Sequence, residues 1–142
     1  MPTPTDSLGF LISDVARLMR RSFGQRLEGS NLTMAQARAL IFVARNEGVR
    51  QIDLADLLEV QPITLARLID QLSADGLVER RSDPDDRRAY RIFLTPAAAP
   101  QIAIIENVAA AIRADALNNL NPDQADALIH ALRTMRDNLS AR

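Results

Sequence analysis

Between residues 48 and 96 the segment GVRQIDLADLLEVQPITLARLIDQLSADG runs directly into LVERRSDPDDRRAYRIFLTP. The first segment has the apolar spacing of two short helices crossed over a tight turn. With Ala55 at the closest approach, where only a small side chain fits, Leu54, Leu58, Val60, Leu65 and Leu68 fall where a small core needs them. Asp53, Asp56 and Glu59 fall outside it. Acids early in the first helix suit its dipole. That helix breaks near Glu59-Val60-Gln61. Pro62 opens the second at its first turn, where a missing N–H is harmless, and Gly76 is placed to end it in the left-handed conformation. The turn between the helices carries Glu59 where glycine is common, so a looser turn is expected.

The second helix has an apolar stripe of Leu65, Leu68, Ile69 and Leu72, with Gln61, Ile63, Thr64, Arg67, Asp70 and Gln71 on the other face. Thr64 and Arg67 lie three apart in its N-terminal half, the part of such a helix that reaches base edges in the major groove. Arginine can pair bidentately with guanine, and a threonine methyl can touch a thymine methyl. An ordinary amphipathic helix would show the same pattern, so the hairpin that follows carries the distinction. Residues 77–82 and 89–94 are strand-like, with the turn cluster DPDDRR between them. Arg80, Arg81, Arg87, Arg88 and Arg91 lie here, yet six arginines face six acidic residues across positions 61–91, so position matters and net charge does not. Arg87 and Arg88 sit at or just past the projecting tip. A guanidinium there can enter a minor groove, whose narrowness deepens its negative potential. Asp86 beside them can hold an arginine extended through a charge-assisted hydrogen bond. A solvated hairpin with weak local ion pairs is the plainer reading of the hairpin alone. The combination predicts a winged helix on double-stranded DNA.

From Leu54 to Pro96 the chain resembles the MarR family of bacterial transcription regulators, and within it the SlyA-like members. The residues that carry this are LADLLEV, LARLIDQLSADGLVERR and DPDDRRAYRIFLTP, the last matching a wing signature of Asp and Arg before a strand ending Leu-Thr. NLTMAQARAL and the terminal helices extend the resemblance more weakly. It implies that Arg88 is the minor-groove arginine, Asp86 its supporting acid and Arg87 a commonly basic position. It also implies that Thr64 and Arg67 touch DNA, with Gln61, Ile63 and Gln71 on the same face. Family members often bind small phenolic or other carboxylate-bearing molecules between the dimer region and the DNA-binding lobe, which releases DNA. Arg17 and Arg38 are the candidates to pair with such an anion, although both also read as ordinary surface arginines.

A chain of 142 residues can bury roughly 68–70% of its unfolded surface. Without cysteine it has no disulfide, thiolate metal site or cysteine redox sensor. All 17 basic residues are arginine, and a net charge of −1 argues against a non-specific nucleic-acid coat. The start, MPTPTDSLGF, lacks the charged and apolar regions of a signal peptide, and no apolar run is long enough to span a bilayer, so a cytoplasmic protein is expected. One histidine, His130, and five scattered glycines offer no zinc site, phosphate loop or nucleophile–base pair. Neither an enzyme nor a cofactor is expected.

The flanks are helical. Residues 7–28 follow Asp6 or Ser7 as cap, with the stripe Leu8, Leu11, Ile12, Val15, Leu18 and Met19. Residues 33–46 open on a Thr33–Gln36 capping box and end before Gly48. Thr95-Pro96 opens a long helix to about Leu120, with Ile102, Ile105, Val108, Ala109, Ile112 and Ala116 as its stripe. Asn121, Pro122 and Gln124 start the last, with Leu128, Leu132, Met135 and Leu139. A small lobe cannot cover all these faces. The expected architecture is mainly α with a small β-wing: a winged helix-turn-helix lobe over 31–96, and a homodimerisation region over 1–30 and 97–142. The competing class is a winged helix used for protein contacts rather than DNA.

Overall fold

The computed structural model describes residues 7–141. Helices α1, α2 and α6 begin on residues whose side chains cap them. Helix α1 (Leu8–Arg26) starts on Ser7, whose hydroxyl accepts from the Phe10 N–H; Asp6, the other cap candidate, lies outside the described residues. Helix α2 (Met34–Arg45) carries the expected capping box, with Thr33 and Gln36 each accepting the other's backbone N–H. A two-residue strand β1 (Val49–Arg50) leads straight into α3 (Gln51–Leu58), and α4 (Pro62–Ala74) follows.

The α3–α4 turn is tight, which corrects the looser turn expected from Glu59. Glu59 itself takes the left-handed conformation, φ 56° and ψ 43°. The Val60 N–H donates to the Ala55 carbonyl and the Glu59 N–H to the Asp56 carbonyl. That is the full Schellman pattern, made without glycine. Gly76 ends α4 by the same device, at φ 76°.

Strands β2 (Val78–Ser82) and β3 (Tyr90–Leu94) form the hairpin, each one residue shorter than its expected range. The antiparallel order is β1-β3-β2, with Arg80 opposite Ile92 and Arg50 opposite Arg91. Thr95 does not cap the next helix. Its hydroxyl donates to the Gly76 carbonyl, joining the end of the hairpin to the end of α4. A 3-10 turn over Pro96–Ala98 comes first, then α5 (Ala99–Ala116), which stops short of Leu120. Helix α6 (Pro122–Ser140) opens on Asn121 and Gln124 in a second capping box.

The core gathers Leu40 and Val43 of α2, Leu54, Ala55 and Leu58 of α3, Leu65, Ile69 and Leu72 of α4, Ile92 of β3 and Ile105 of α5. Fully burying such a side chain contributes about 1.5–3 kcal/mol. The stripe read from the α4 sequence is therefore its inner face, with Leu68 partly buried beside it. The opposite condition holds in α1 and α6, neither of which contains a buried residue. Leu8, Leu11, Ile12, Val15, Leu18 and Met19 of α1 are 40–64% exposed, and Leu128, Leu132 and Leu139 of α6 are 40–80% exposed. Among the described residues, no helix is long and apolar enough to cross a membrane.

Candidate nucleic-acid interface

With Leu65, Ile69 and Leu72 turned into the core, the helical period leaves one face of α4 outside. Gln61, Ile63, Thr64, Arg67 and Gln71 are all exposed, Ile63 at 64%. Pro62 at the first turn leaves Gln61 as the N-cap with no side-chain cap of its own, so the end of the helix is open to an outside acceptor. Asp70, on the same side, is engaged within the fold: its Oδ1 accepts from Arg80 Nη1 at 2.6 Å.

The turn of the hairpin is exposed at Asp86, Arg87 and Arg88. Asp86 does support this turn, through the backbone rather than a guanidinium: its Oδ1 accepts from the Arg88 N–H at 3.0 Å, and its carbonyl accepts from the Ala89 N–H. The carboxylate fixes where the Arg88 backbone points, and the Arg88 side chain stays in solvent. One groove, lined by Arg50, Gln51, Ile52, Pro62, Asp86, Arg88, Ala89 and Tyr90, joins the start of α4 to the hairpin turn. The two candidate contact elements are thus neighbours in space.

Asp83 anchors the base of this turn, a role the sequence reading did not give it. Its side chain is buried, its Oδ1 accepts from the Asp85 N–H at 2.9 Å, and its Oδ2 lies 2.6 Å from Arg50 Nε and 3.4 Å from Arg91 Nε. The Asp85 N–H holds the carboxyl below its ordinary pKa; burial opposes this, and the Arg50 and Arg91 guanidiniums add to it. Arg91 also donates to the Gly48 carbonyl, so β1, β3 and the turn meet at one carboxylate. Its signal in the sequence was the Asp-Pro at the head of DPDDRR, since Asp readily bonds backbone two residues on.

The two arginines expected at an anion site part company. Arg17 is exposed and paired with Asp14 at 3.5 Å, one turn away on α1. Arg38 lines a cavity of about 230 Å³ between α1, α2 and α5, over the Phe42 ring at 5.8 Å. The second arginine there is Arg20, and the walls are Met19, Phe23, Met34, Ile41, Phe42, Ala109 and Ile112. Arg20 lies three residues after Arg17, one helical turn along α1.

The helix pair, the three-stranded sheet and the arginine-bearing turn define a winged helix-turn-helix protein. Residues 30–89 match the MarR family. The solved structure of the transcriptional regulator PA3341 is 35% identical, with a TM-score of 0.81, over 96% of this chain and 100% of that one. A mutant MarR from E. coli complexed with operator DNA is 26% identical, with a TM-score of 0.71, over 90% and 92% of the two chains. BpsR from Bordetella bronchiseptica, studied for regulation of its DNA binding by 6-hydroxynicotinic acid, is 25% identical, with a TM-score of 0.75, over 96% and 98%. The chain belongs to the MarR family and has the winged-helix fold of its transcriptional regulators.

Proposed function

We propose that this chain is a SlyA-like, sequence-specific repressor that binds double-stranded DNA as a homodimer in the cytoplasm, with no catalytic activity of its own. The observation that carries this reading is the shared groove: the start of α4 and the turn bearing Arg88 lie side by side. Helix α4 fits the major groove, with Thr64 and Arg67 at base edges and Gln61, Ile63 and Gln71 beside them. The hairpin then reaches the next minor groove with Arg88, while Arg87 meets the backbone. The likeness to a MarR complexed with operator DNA supports this use of the fold.

The lobe is residues 31–96, and the pairing region is 1–30 with 97–142. Two copies related by a two-fold axis would read an inverted repeat with half-sites about one turn, or ~10 base pairs, apart. The cavity at Arg20 and Arg38 has the chemistry for a small aromatic carboxylate: apolar walls for the ring and guanidiniums for the anion. Its place between α1, α5 and the lobe suits a ligand that changes the spacing of the two reading helices. BpsR, whose DNA binding responds to 6-hydroxynicotinic acid, gives the ligand class a parallel.

The test is a gel shift on the DNA flanking the gene, with salt titrations and two variants. Arg67→Ala should weaken specific binding by roughly 1–3 kcal/mol and relax preference at one base position. Arg88→Ala should flatten the salt dependence by about one unit of slope. No shift with any fragment, or equal binding by both variants, would turn the reading toward a winged helix for protein contacts.

A further inference from the structure

Arg80 sits on the wrong face of its strand for a charge. Strand alternation puts Val78 and Arg80 on the same side of β2, and Val78 is buried there, while Arg80 pairs in register with the buried Ile92. The side chain is 24% exposed, and every nitrogen of its guanidinium finds an acceptor. Nε donates to Gln51 Oε1 at 2.8 Å, Nη1 to Asp70 Oδ1 at 2.6 Å, and Nη2 to the Ala66 carbonyl at 3.0 Å. Its cationic carbon lies 5.9 Å from the centre of the Tyr90 ring on β3. One side chain thus joins the first residue of α3, the middle of α4 and both strands of the hairpin.

These contacts differ from an exposed ion pair, which holds little because both partners wander. The Ala66 carbonyl is part of the helix ladder and cannot move without α4, and its second lone pair is free to accept. The planar fork fixes direction as well as distance, which a lysine could not do. With its nitrogens committed inside the lobe, Arg80 has no need of a phosphate.

We infer that Arg80 is a positioning residue that locks the arginine-bearing hairpin to α4, so that one docking event places both Thr64–Arg67 and Arg88. The inference rests on the DNA-binding reading for its purpose, but the lock exists in the free protein and can be read there. Asp70, on the outward face of the reading helix, belongs to the lock and not to the contact surface.

The absence of cysteine from the chain allows two spin labels to be placed without removing any native thiol. Ser73→Cys on α4 and Asp85→Cys in the turn are both exposed positions. Pulsed dipolar distances would be recorded with labelled chain diluted into unlabelled chain, so that only intrachain pairs are read. The native background should give one narrow distance distribution, and Arg80→Met, which keeps the aliphatic stem, a broad one. Arg80→Lys should broaden it too, because it restores charge without the fork. Asp70→Asn, a change at a side chain 65% exposed, should broaden it less and decides the matter if Arg80→Met does not fold. Unchanged widths in the folded variants would overturn the lock, whatever the protein does with DNA. In the gel shift, Arg80→Met should weaken binding roughly tenfold or more, as misplaced contacts do. Its salt slope should stay that of the native chain; a slope lower by about one unit would make Arg80 a phosphate contact and overturn the inference.

Discussion

Among the described residues, Asp83 is the one charged side chain that the fold buries. Its carboxyl has a folded pKa below the ordinary 3.8, first because of the Asp85 N–H and then, against desolvation, because of Arg50 and Arg91. A group depressed on folding stabilises the fold at pH values above its unfolded pKa. That stabilisation is lost as the pH falls through the folded value, because the unfolded chain takes up the proton first. Asp83→Asn should therefore melt at lower urea than the native chain near neutral pH, and the gap should narrow as the pH drops below 3.8. A gap that stays constant through the acid range would show that the charge of Asp83 is not what holds the turn. Arg67 and Arg88 are exposed, and that much follows from helix period and from a turn tip. Arg80 was illegible as an anchor because its partners lie 10 to 29 residues away, at Asp70, Ala66 and Gln51, and Asp83 had only its local Asp-Pro signal, which does not announce Arg50 far back in the chain. Nor does the sequence announce that Arg20 borders the cavity with Arg38: which turn of α1 faces it depends on α2 and α5.

Each capping box is a local chemical fact, and Thr33–Gln36 and Asn121–Gln124 form as their three-residue spacing dictates. Thr95 carries the same hydroxyl as Thr33 but donates it to the Gly76 carbonyl, which the hairpin brings beside it, and accepts no N–H of the turn that follows; a 3-10 turn precedes α5. Strand β1 is only two residues long and exists by pairing with Ile92 and Arg91, more than 40 positions on, so no local pattern announces it. Glu59 shows the reverse: the turn geometry is common, but the residue in it is not the favoured one. Holding a side chain in the left-handed region costs roughly 1–2 kcal/mol, and an acid at a helix C-terminus faces the negative end of the dipole. Glycine would relieve both, at a backbone-entropy cost of roughly 0.5–1 kcal/mol. Glu59→Gly should then stabilise the chain by roughly 0.5–1 kcal/mol net, read as a higher urea midpoint with an unchanged slope. A lower midpoint would mean that the Glu59 side chain supports the turn.

At the scale of the whole molecule, the lobe has a core and the two terminal helices do not. The stripe of α5 is divided, with Ile105 and Ile112 buried in the chain, whereas those of α1 and α6 stand open. An apolar surface of this extent marks an interaction site, and its length along two helices fits a second copy arranged about a two-fold axis. Sedimentation at micromolar concentration should give a dimer, and Leu128→Glu with Leu132→Glu should give a monomer that keeps a folded lobe. A native monomer with full helicity would sink the pairing region as read. The exposed stripes also bear on how such a regulator would respond to its own abundance. If two chains must meet before two reading helices can be presented together, then at low concentration the number of competent molecules grows as the square of the chains present. Operator occupancy would climb with a limiting slope of about 2 on a logarithmic scale. The apolar faces of α1 and α6, remote from any base pair, would thereby set the sharpness of the switch, and substitutions that tighten or loosen them would move its threshold without altering the sequence read.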